Sequence, residues 1–254
     1  MKKSKYSEEL AVAKHAAREA GKILMKRFGK QSKKQMKGKF DFYLDADVEA
    51  EKAIIKILKN RYPEHAILAE ESGKQGNSAY TWIIDPLDGT HNYAHGVPVF
   101  GTSIALQHKK DVVIGVIYLP VMNELYYAEK GRGAFLNDRR IHVKNKDGLI
   151  VFGGTHRFRS SIVSKSMMKV INKYHHKLRF LGSAVFASVN VAIGHMSAYI
   201  TFYINAWDIA AGALIVEESG GKVTDINGKK WDLNKKHLVL SNRRIHEEIL
   251  RVLK

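Results

Sequence analysis

The sequence predicts a layered α/β fold. Two amphipathic helical segments near the beginning, an antiparallel meander in the middle and alternating helices and strands in the second half support this prediction. The chain has 254 residues, which is enough for one large domain or for two sub-domains that share a core. We expect an N-terminal α+β half over residues 1–145 and a C-terminal α/β half over residues 146–254.

The first half begins with two predicted helices. Ser7 is a suitable N-cap, apolar residues then recur at helical spacing, and Gly29 ends the first helix. Residues 30–43 form a lysine-rich connection. The second helix begins near Asp45 and ends before Pro63.

Strands dominate the middle of the chain. A short strand at 66–69 and a longer apolar strand ending at Asp85 come first. The predicted meander has strands at 101–107, 112–118 and 125–128. The elements predicted in the second half are helices at 161–174, 184–193 and 208–219, strands at 178–181 and 198–203, strands near Val223 and Val239, and a terminal helix through Ile249 and Leu253.

Composition excludes several classes of protein. There is no cysteine, so neither a disulfide framework nor a thiolate zinc site or cysteine nucleophile can exist. The longest β-branched run, at 112–119, is far shorter than the roughly 20 residues that a membrane span requires. The basic start continues into an amphipathic stretch instead of an apolar one, so we expect a cytoplasmic protein without a signal peptide.

The net charge of +17 suggests attraction to anionic partners. Residues 1–40 contain 13 Lys or Arg against 3 Glu. No aromatic residues are interleaved at base-stacking spacing, and no helix-turn-helix, zinc-finger or RNA-recognition signature is present. The charge therefore indicates attraction to phosphate, or lysines on a solvated surface, and leaves binding to nucleic acid open.

The most informative segment is WIIDPLDGT at residues 82–90. An apolar run ends at Asp85, a proline fixes the turn, and Asp88 follows three residues later. Carboxylates at the end of a buried strand suit Mg²⁺, and the turn exposes the Leu87 carbonyl as a further ligand. Gly89 lets the backbone come close to a bound anion. Asp-Gly is also a common hairpin turn, and this alternative stays open.

Other carboxylates share this placement at the ends of elements. Glu70 ends a strand, as Asp85 and Asp88 do, and Asp208 opens a helix. Carboxylates that bridge two cations about 3.5–4 Å apart form a two-metal site for phosphoryl transfer. Asp47 lies in the first turn of the second helix, where it either stabilises the helix dipole or belongs to this site.

Three blocks of residues carry a family resemblance. They are LAEES at 68–72, WIIDPLDGT at 82–90 with Asn92, His95, Gly96 and Pro98 after it, and WDIAAG at 207–212 with EESGG at 217–221. Together they resemble the inositol monophosphatase family over nearly the whole chain. The resemblance implies a five-layer αβαβα sandwich of the inositol monophosphatase and fructose-1,6-bisphosphatase type. It also implies two or three Mg²⁺ ions per site, inhibition by Li⁺ and a homodimer.

The same resemblance implies roles for individual residues. Implied metal ligands are Glu70, Asp85, the Leu87 carbonyl, Asp88 and Asp208, with Glu71 in support. The implied catalytic residues are Glu70, Asp47 and Thr90, of which the last two form a hydrogen-bonded pair that orients a water. Implied substrate contacts are Asp88, Gly89, Thr90, Gly182, Ser183, Thr201 and Asp208, and Lys37 and His91 are further candidates.

Four positions depart from the family pattern. Leu44 stands where the family usually has Thr, and Ser197 replaces a frequent Asp. His91 stands where Thr or Ser is common, and is either a surface histidine or a changed pocket wall. Thr201 aligns with a position that is often Glu in members that prefer inositol. Because the loss of an acceptor for a substrate hydroxyl discriminates strongly between substrates, these changes leave the substrate open.

The leading hypothesis is a Mg²⁺-dependent phosphomonoesterase for a small polyol or sugar phosphate, with myo-inositol 1-phosphate as the leading candidate substrate. Fructose-1,6-bisphosphatase activity, alone or in addition, is the alternative within enzymes. A different class is a binding protein that uses its basic N-terminal surface on RNA or on a protein. The intact acidic blocks argue against an inactive enzyme.

Overall fold

Helices and strands alternate along the chain, which a computed structural model describes over residues 5–30, 34–36, 42–154 and 161–254. The helices are α1 (Ser7–Arg27), α2 (Asp45–Arg61), α3 (Thr90–Ala94), α4 (Ser161–Tyr174), α5 (Ala184–Ala192), α6 (Ala206–Glu218) and α7 (His246–Leu253). The strands are β1 (Lys34–Met36), β2 (Phe42–Leu44), β3 (Ala66–Ala69), β4 (Gly73–Gln75), β5 (Tyr80–Asp88), β6 (Gly101–His108), β7 (Asp111–Leu119), β8 (Glu124–Glu129), β9 (Gly133–Leu136), β10 (Arg139–Ile141), β11 (Leu149–Gly153), β12 (Leu178–Arg179), β13 (Met196–Phe202), β14 (Lys222–Asp225) and β15 (His237–Ser241).

Most of these strands belong to two larger sheets. In the described part of the chain, one sheet has eight strands in the order β10-β9-β8-β7-β6-β5-β3-β4, and only β3 and β5 pair in parallel. The other has five described strands in the order β12-β11-β13-β15-β14, with β11 parallel to both of its neighbours. β1 and β2 form a separate antiparallel pair.

Side chains that alternate along the strands define the layers of the fold. Trp82 and Ile84 of β5 pack with α1 and α2, whereas Ile83 between them packs with α5 and α6. On the second sheet, Tyr199 of β13 faces α5 and α6, and Ile200 packs with α4 and α7. The order of layers is therefore helices, sheet, helices, sheet, helices. This arrangement confirms the predicted five-layer αβαβα sandwich.

Helix α6 lies in the middle layer and is buried along most of its length. A Cβ at Gly115 of β7 would lie 2.7 Å from the Ala211 carbonyl oxygen, so α6 touches the eight-stranded sheet directly. A Cβ at Gly212 would lie 2.6 Å from Ser188 of α5. These close approaches fix the position of α6, and its first turn carries Asp208.

The structure corrects the sequence-based elements in several places. The segment at 30–43, predicted as a connection, contains β1 and the first two residues of β2. The eight-stranded sheet continues beyond Gly133 through β9 and β10, and β11 precedes the helix predicted at 161–174. α1, α2 and the three strands of the meander are confirmed. None of the described helices has the length and apolar character needed to cross a membrane.

Candidate metal and phosphate site

The segment DPLD forms the end of β5 and an irregular step in its pairing with β6. Asp85 lies opposite Ser103 and Asp88 lies opposite Gly101, so the residues between them bulge from the ladder. The Leu87 N–H donates to Asp85 Oδ1 at 3.0 Å. The bulge turns Asp85 and Asp88 toward the same place. The predicted end of this strand at Asp85 is wrong, because the strand extends to Asp88.

Strand β6 holds both halves of the site in position. The Thr102 hydroxyl donates to the Pro86 carbonyl at 2.9 Å, which fixes the bulge. The Ser103 hydroxyl donates to the Trp207 carbonyl at 3.1 Å, which fixes the start of α6. Sequence reasoning missed both residues. Their hydrogen bonds are to distant backbone, and the sequence carries no local signal for them.

Three carboxylates from two distant parts of the chain, β5 and α6, meet at this place. Oxygens of Asp85, Asp88 and Asp208 all lie within 4.8 Å of one another. Asp208 Oδ2 accepts the Asn205 N–H at 2.9 Å, which holds this carboxylate at the start of α6. None of the three carboxylates forms an ion pair with a lysine, arginine or histidine in the described ranges.

The environment of this cluster disfavours negative charge. Burial raises the pKa of Asp85 well above its ordinary value, and Glu70, Asp88 and Asp208 raise it further. Burial and the charge of Asp88 raise the pKa of Asp208 in the same way. Burial raises the pKa of Asp88 to about 6, although hydrogen bonds from Ser183 and the Val185 N–H oppose this effect. A hard divalent cation with oxygen ligands would relieve this repulsion, so the donor set fits Mg²⁺.

Glu70 and Glu71 follow β3 beside this cluster. The Glu70 N–H donates to the Ile84 carbonyl at 3.1 Å, and the Glu70 carboxyl lies close enough to Asp85 to raise its pKa. The buried Glu51 carboxylate of α2 accepts the N–H groups of Glu71 and Ser72, each at 2.9 Å. Glu51 therefore fixes the turn that carries Glu70 and Glu71, a role that the sequence did not indicate.

Asp47 and Thr90 lie next to each other, but their hydrogen bond is long. Asp47 Oδ2 accepts the Leu44 N–H at 2.8 Å and so caps α2. The Thr90 hydroxyl lies 3.5 Å from Asp47 Oδ1 and 3.0 Å from the Leu87 carbonyl oxygen. Because a hydroxyl has one proton, the shorter contact to Leu87 takes it in this structure. Asp47 thus combines its capping role with a position beside Thr90.

The turn between β5 and α3 requires glycine. Gly89 has φ +92°, and a Cβ there would lie 2.7 Å from the Val99 carbonyl oxygen. The Asn92 side chain donates to the carbonyls of Val99 and Leu181, both at 2.8 Å. It thereby ties the turn at Gly89 to the segment before Gly182. His91 is exposed, and its ring packs against Phe42 at 4.6 Å between centroids.

The second half supplies a wall near Asp88. Ser183 caps α5 and donates a short hydrogen bond to Asp88 Oδ2, which also accepts the Val185 N–H at 3.0 Å. Gly182 has φ +67° and lies against Asn92. Thr201 is buried, and its hydroxyl has no hydrogen-bond partner among the described residues.

Ser197, a position singled out in the sequence, stands apart from this site. Ser197 lies near the start of β13, and its hydroxyl donates to the Lys146 carbonyl at 3.0 Å. It therefore stabilises the connection between the two sheets, at the opposite end of the strand from Thr201. Lys37 lies outside the described residues.

Comparison with known proteins agrees with this architecture. Residues 5–254 match the sequence family described as the inositol monophosphatase family. The chain is 39% identical to the Nus factor SuhB of Pasteurella multocida, over 95% of this chain and 94% of that protein. It is 37% identical to the fructose-1,6-bisphosphatase/inositol-1-monophosphatase of Thermotoga maritima, over 93% of this chain and 92% of that protein.

Solved structures agree as well. The extragenic suppressor protein suhB of Bartonella henselae superposes with a TM-score of 0.90 and 35% identity, covering 97% of this chain and 98% of that one. An IMPase of Thermotoga maritima superposes with a TM-score of 0.87 and 34% identity, covering 97% and 96%. The family match spans the chain from the first helix to the last residue, and the acidic cluster lies where the signature blocks meet. The chain therefore belongs to the inositol monophosphatase family.

Proposed function

We propose that this chain is a Mg²⁺-dependent phosphomonoesterase that hydrolyses a small polyol or sugar phosphate, with myo-inositol 1-phosphate as the first substrate to test. Membership of the family supports a phosphatase of this superfamily. The observation that carries the proposal is the meeting of Asp85, Asp88 and Asp208 within 4.8 Å. Glu70 and the Leu87 carbonyl stay predicted ligands beside them.

In this proposal each part of the site has a separate task. When bound, Mg²⁺ acidifies a water molecule, neutralises the phosphate oxygens and stabilises the leaving oxygen. The acidic cluster and Glu70 would hold the cations. Asp47 and the Thr90 hydroxyl orient the attacking water and accept its proton, which needs only a small rotation of the hydroxyl away from Leu87.

The turn at Gly89 and the α5 N-terminus position the substrate. The N–H groups of Gly89 and Thr90 would donate to the phosphate oxygens, because the positive φ of Gly89 lets the backbone approach them. Ser183 and Gly182 would border the leaving group. No side chain needs to form a covalent intermediate, since a water can attack in line.

A specific observation also favours fructose 1,6-bisphosphate as a second substrate. Thr201 is uncharged, so it does not repel a second phosphate as a glutamate at this position would. Relatives from Thermotoga maritima and Aquifex aeolicus carry both activities in their names. We therefore include this ester in the test.

The described structure supports a nucleic-acid-binding role of the N-terminal surface less than it supports a phosphatase. Several cations of α1 pair with carboxylates, among them Lys14 with Asp138 and Arg27 with Glu49. Such pairing reduces the positive field of this surface. Inhibition by Li⁺, a homodimer, a cytoplasmic location and the role of Glu71 are kept as predictions.

The test is phosphate release from a panel of esters by the purified protein. We expect hydrolysis of myo-inositol 1-phosphate or fructose 1,6-bisphosphate in Mg²⁺ and its loss in EDTA. Asp85→Asn should abolish it, whereas the control Asp111→Asn, on the surface, should not. Absence of phosphate release from every ester would contradict the proposal, as would full activity of Asp85→Asn.

A further inference from the structure

The face of β13 that looks toward the middle layer carries two hydroxyls near its end. Side chains alternate along the strand, so Tyr199 and Thr201 share the face that packs toward α5 and α6. Both residues are almost completely buried. The strand ends at Phe202, shortly before the α6 turn that carries Asp208. The two hydroxyls thus lie at the same end of the sheet as the acidic cluster.

The position of the Tyr199 hydroxyl depends on Gly153. Gly153 of β11 pairs with Thr201, two residues further along β13 than Tyr199. A Cβ at Gly153 would lie 2.5 Å from the Tyr199 hydroxyl oxygen, so the ring extends over this glycine. The phenol therefore reaches from the middle of the sheet toward the site, and only glycine leaves room for it.

The Tyr199 hydroxyl is close enough to the acidic cluster to be affected by its charges. Burial raises the pKa of Tyr199, and the charges of Asp88 and Asp208 act in the same direction. The phenol is therefore neutral at physiological pH and keeps its proton as a donor. The Thr201 hydroxyl lies next to the phenol and opposes part of this rise in pKa, and Thr201 Oγ1 has no hydrogen-bond partner among the described residues.

A buried hydroxyl without a partner is unfavourable unless a ligand or water satisfies it. Ser183 and the Val185 N–H already bind Asp88 Oδ2 and complete that side of the wall. The Tyr199 and Thr201 hydroxyls thus form a neutral polar surface beside the carboxylates. Each hydroxyl can both donate and accept, which complements neighbouring hydroxyls on a polyol.

We propose that Tyr199 is a specificity-determining residue whose phenol, together with Thr201, binds hydroxyl groups of the leaving alcohol. This inference rests on the proposed phosphatase function and adds a selection for polyol esters over esters without hydroxyls. Tyr199 positions the alcohol and takes no part in the attack on phosphorus. Its removal therefore affects polyol esters and leaves an ester with a simple leaving group unchanged.

The test compares Tyr199→Phe with wild type on two esters. myo-Inositol 1-phosphate has a leaving group rich in hydroxyls, and p-nitrophenyl phosphate has none. We expect kcat/KM for the inositol ester to fall by about 10-fold, mainly through KM, as loss of one hydrogen bond predicts. We expect kcat/KM for p-nitrophenyl phosphate to change by less than about twofold. The matched control is Tyr126→Phe, which removes a buried phenol that bonds Glu124 instead.

Thr201→Val provides a second variant if Tyr199→Phe folds poorly. It removes a hydroxyl that has no protein partner, so the metal-free protein should be at least as stable as wild type. It should still lose activity selectively on the inositol ester. Equal losses on both esters, or no loss on either, would overturn the assignment of Tyr199. If the wild-type protein hydrolyses neither ester, the proposed function fails, and the assignment fails with it.

Discussion

Replacing Asp208 with Asn should stabilise the metal-free protein while abolishing its response to Mg²⁺. At an effective dielectric constant of about 20, two unit charges 4.8 Å apart repel by about 3.5 kcal/mol. Asn keeps the shape of the side chain and an oxygen for the Asn205 N–H. Because raised pKa values show that protonation already relieves part of the repulsion, we expect a net gain of about 2 kcal/mol. For a chain of this size that gain raises Tm by roughly 4–8 °C.

The assay is thermal and urea unfolding in EDTA and in Mg²⁺ at pH 7.5. Wild type should gain stability from Mg²⁺, by about 2.7 kcal/mol at one hundred times its Kd. Asp208→Asn should be more stable than wild type in EDTA and gain little from Mg²⁺. The control Asp111→Asn lies on the surface and should respond to Mg²⁺ as wild type does. An Asp208→Asn variant that is less stable than wild type in EDTA, yet fully responsive to Mg²⁺, would refute this reasoning.

Three further predictions concern pH, catalysis and positioning. Because the pKa of Asp88 is raised from 3.8 to about 6, the folded metal-free protein holds this proton more tightly than the unfolded chain. Its stability should fall as pH rises from about 4 through 6, and Mg²⁺ affinity should fall as pH drops below about 6, both measurable by calorimetry. Unchanged affinity between pH 5 and 7.5 would contradict this. Thr90→Ala should lower kcat by about 10²–10³-fold, while the Mg²⁺-induced rise in Tm is retained. Thr90→Ser keeps the hydroxyl and should retain most of the wild-type rate. Equal rates for the two variants would exclude a role for the hydroxyl. Asn92→Ala removes the hydrogen bonds to Val99 and Leu181, so it should lower the free energy of unfolding in urea by about 1–3 kcal/mol and raise KM. Unchanged stability and KM would show that this link is dispensable.

The sequence predicted the elements whose patterns are strong and local. Apolar spacing identified α1 and α2, and alternating β-branched runs identified β6, β7 and β8. It failed for short polar strands such as Lys34–Met36 and Arg139–Ile141, because a run of three residues is too short to show an alternating apolar pattern. These strands exist because a neighbouring strand pairs with them. Their formation is a tertiary effect.

The residues of the candidate site were likewise predictable from the sequence only where the signal is local. Asp85 and Asp88 are predictable because one turn carries both, and proline and glycine indicate that turn. Asp208 lies far away in the chain, and only the family resemblance and then the packing of α6 bring it to the others. Glu51, Ser103 and the other residues that fix the site bond to backbone groups of distant segments, so no spacing in the sequence identifies them.

Manganese in crystals of the protein tests the central claim most directly, namely that carboxylates far apart in the chain bind divalent ions together. Mn²⁺ substitutes for Mg²⁺ at oxygen sites and gives an anomalous signal. We expect an anomalous peak at about 2.0–2.4 Å from oxygens of Asp85, Asp88 and Asp208, with inorganic phosphate near the Gly89 N–H when it is added. Well-ordered crystals that bind Mn²⁺ elsewhere and show no peak among these three carboxylates would contradict it.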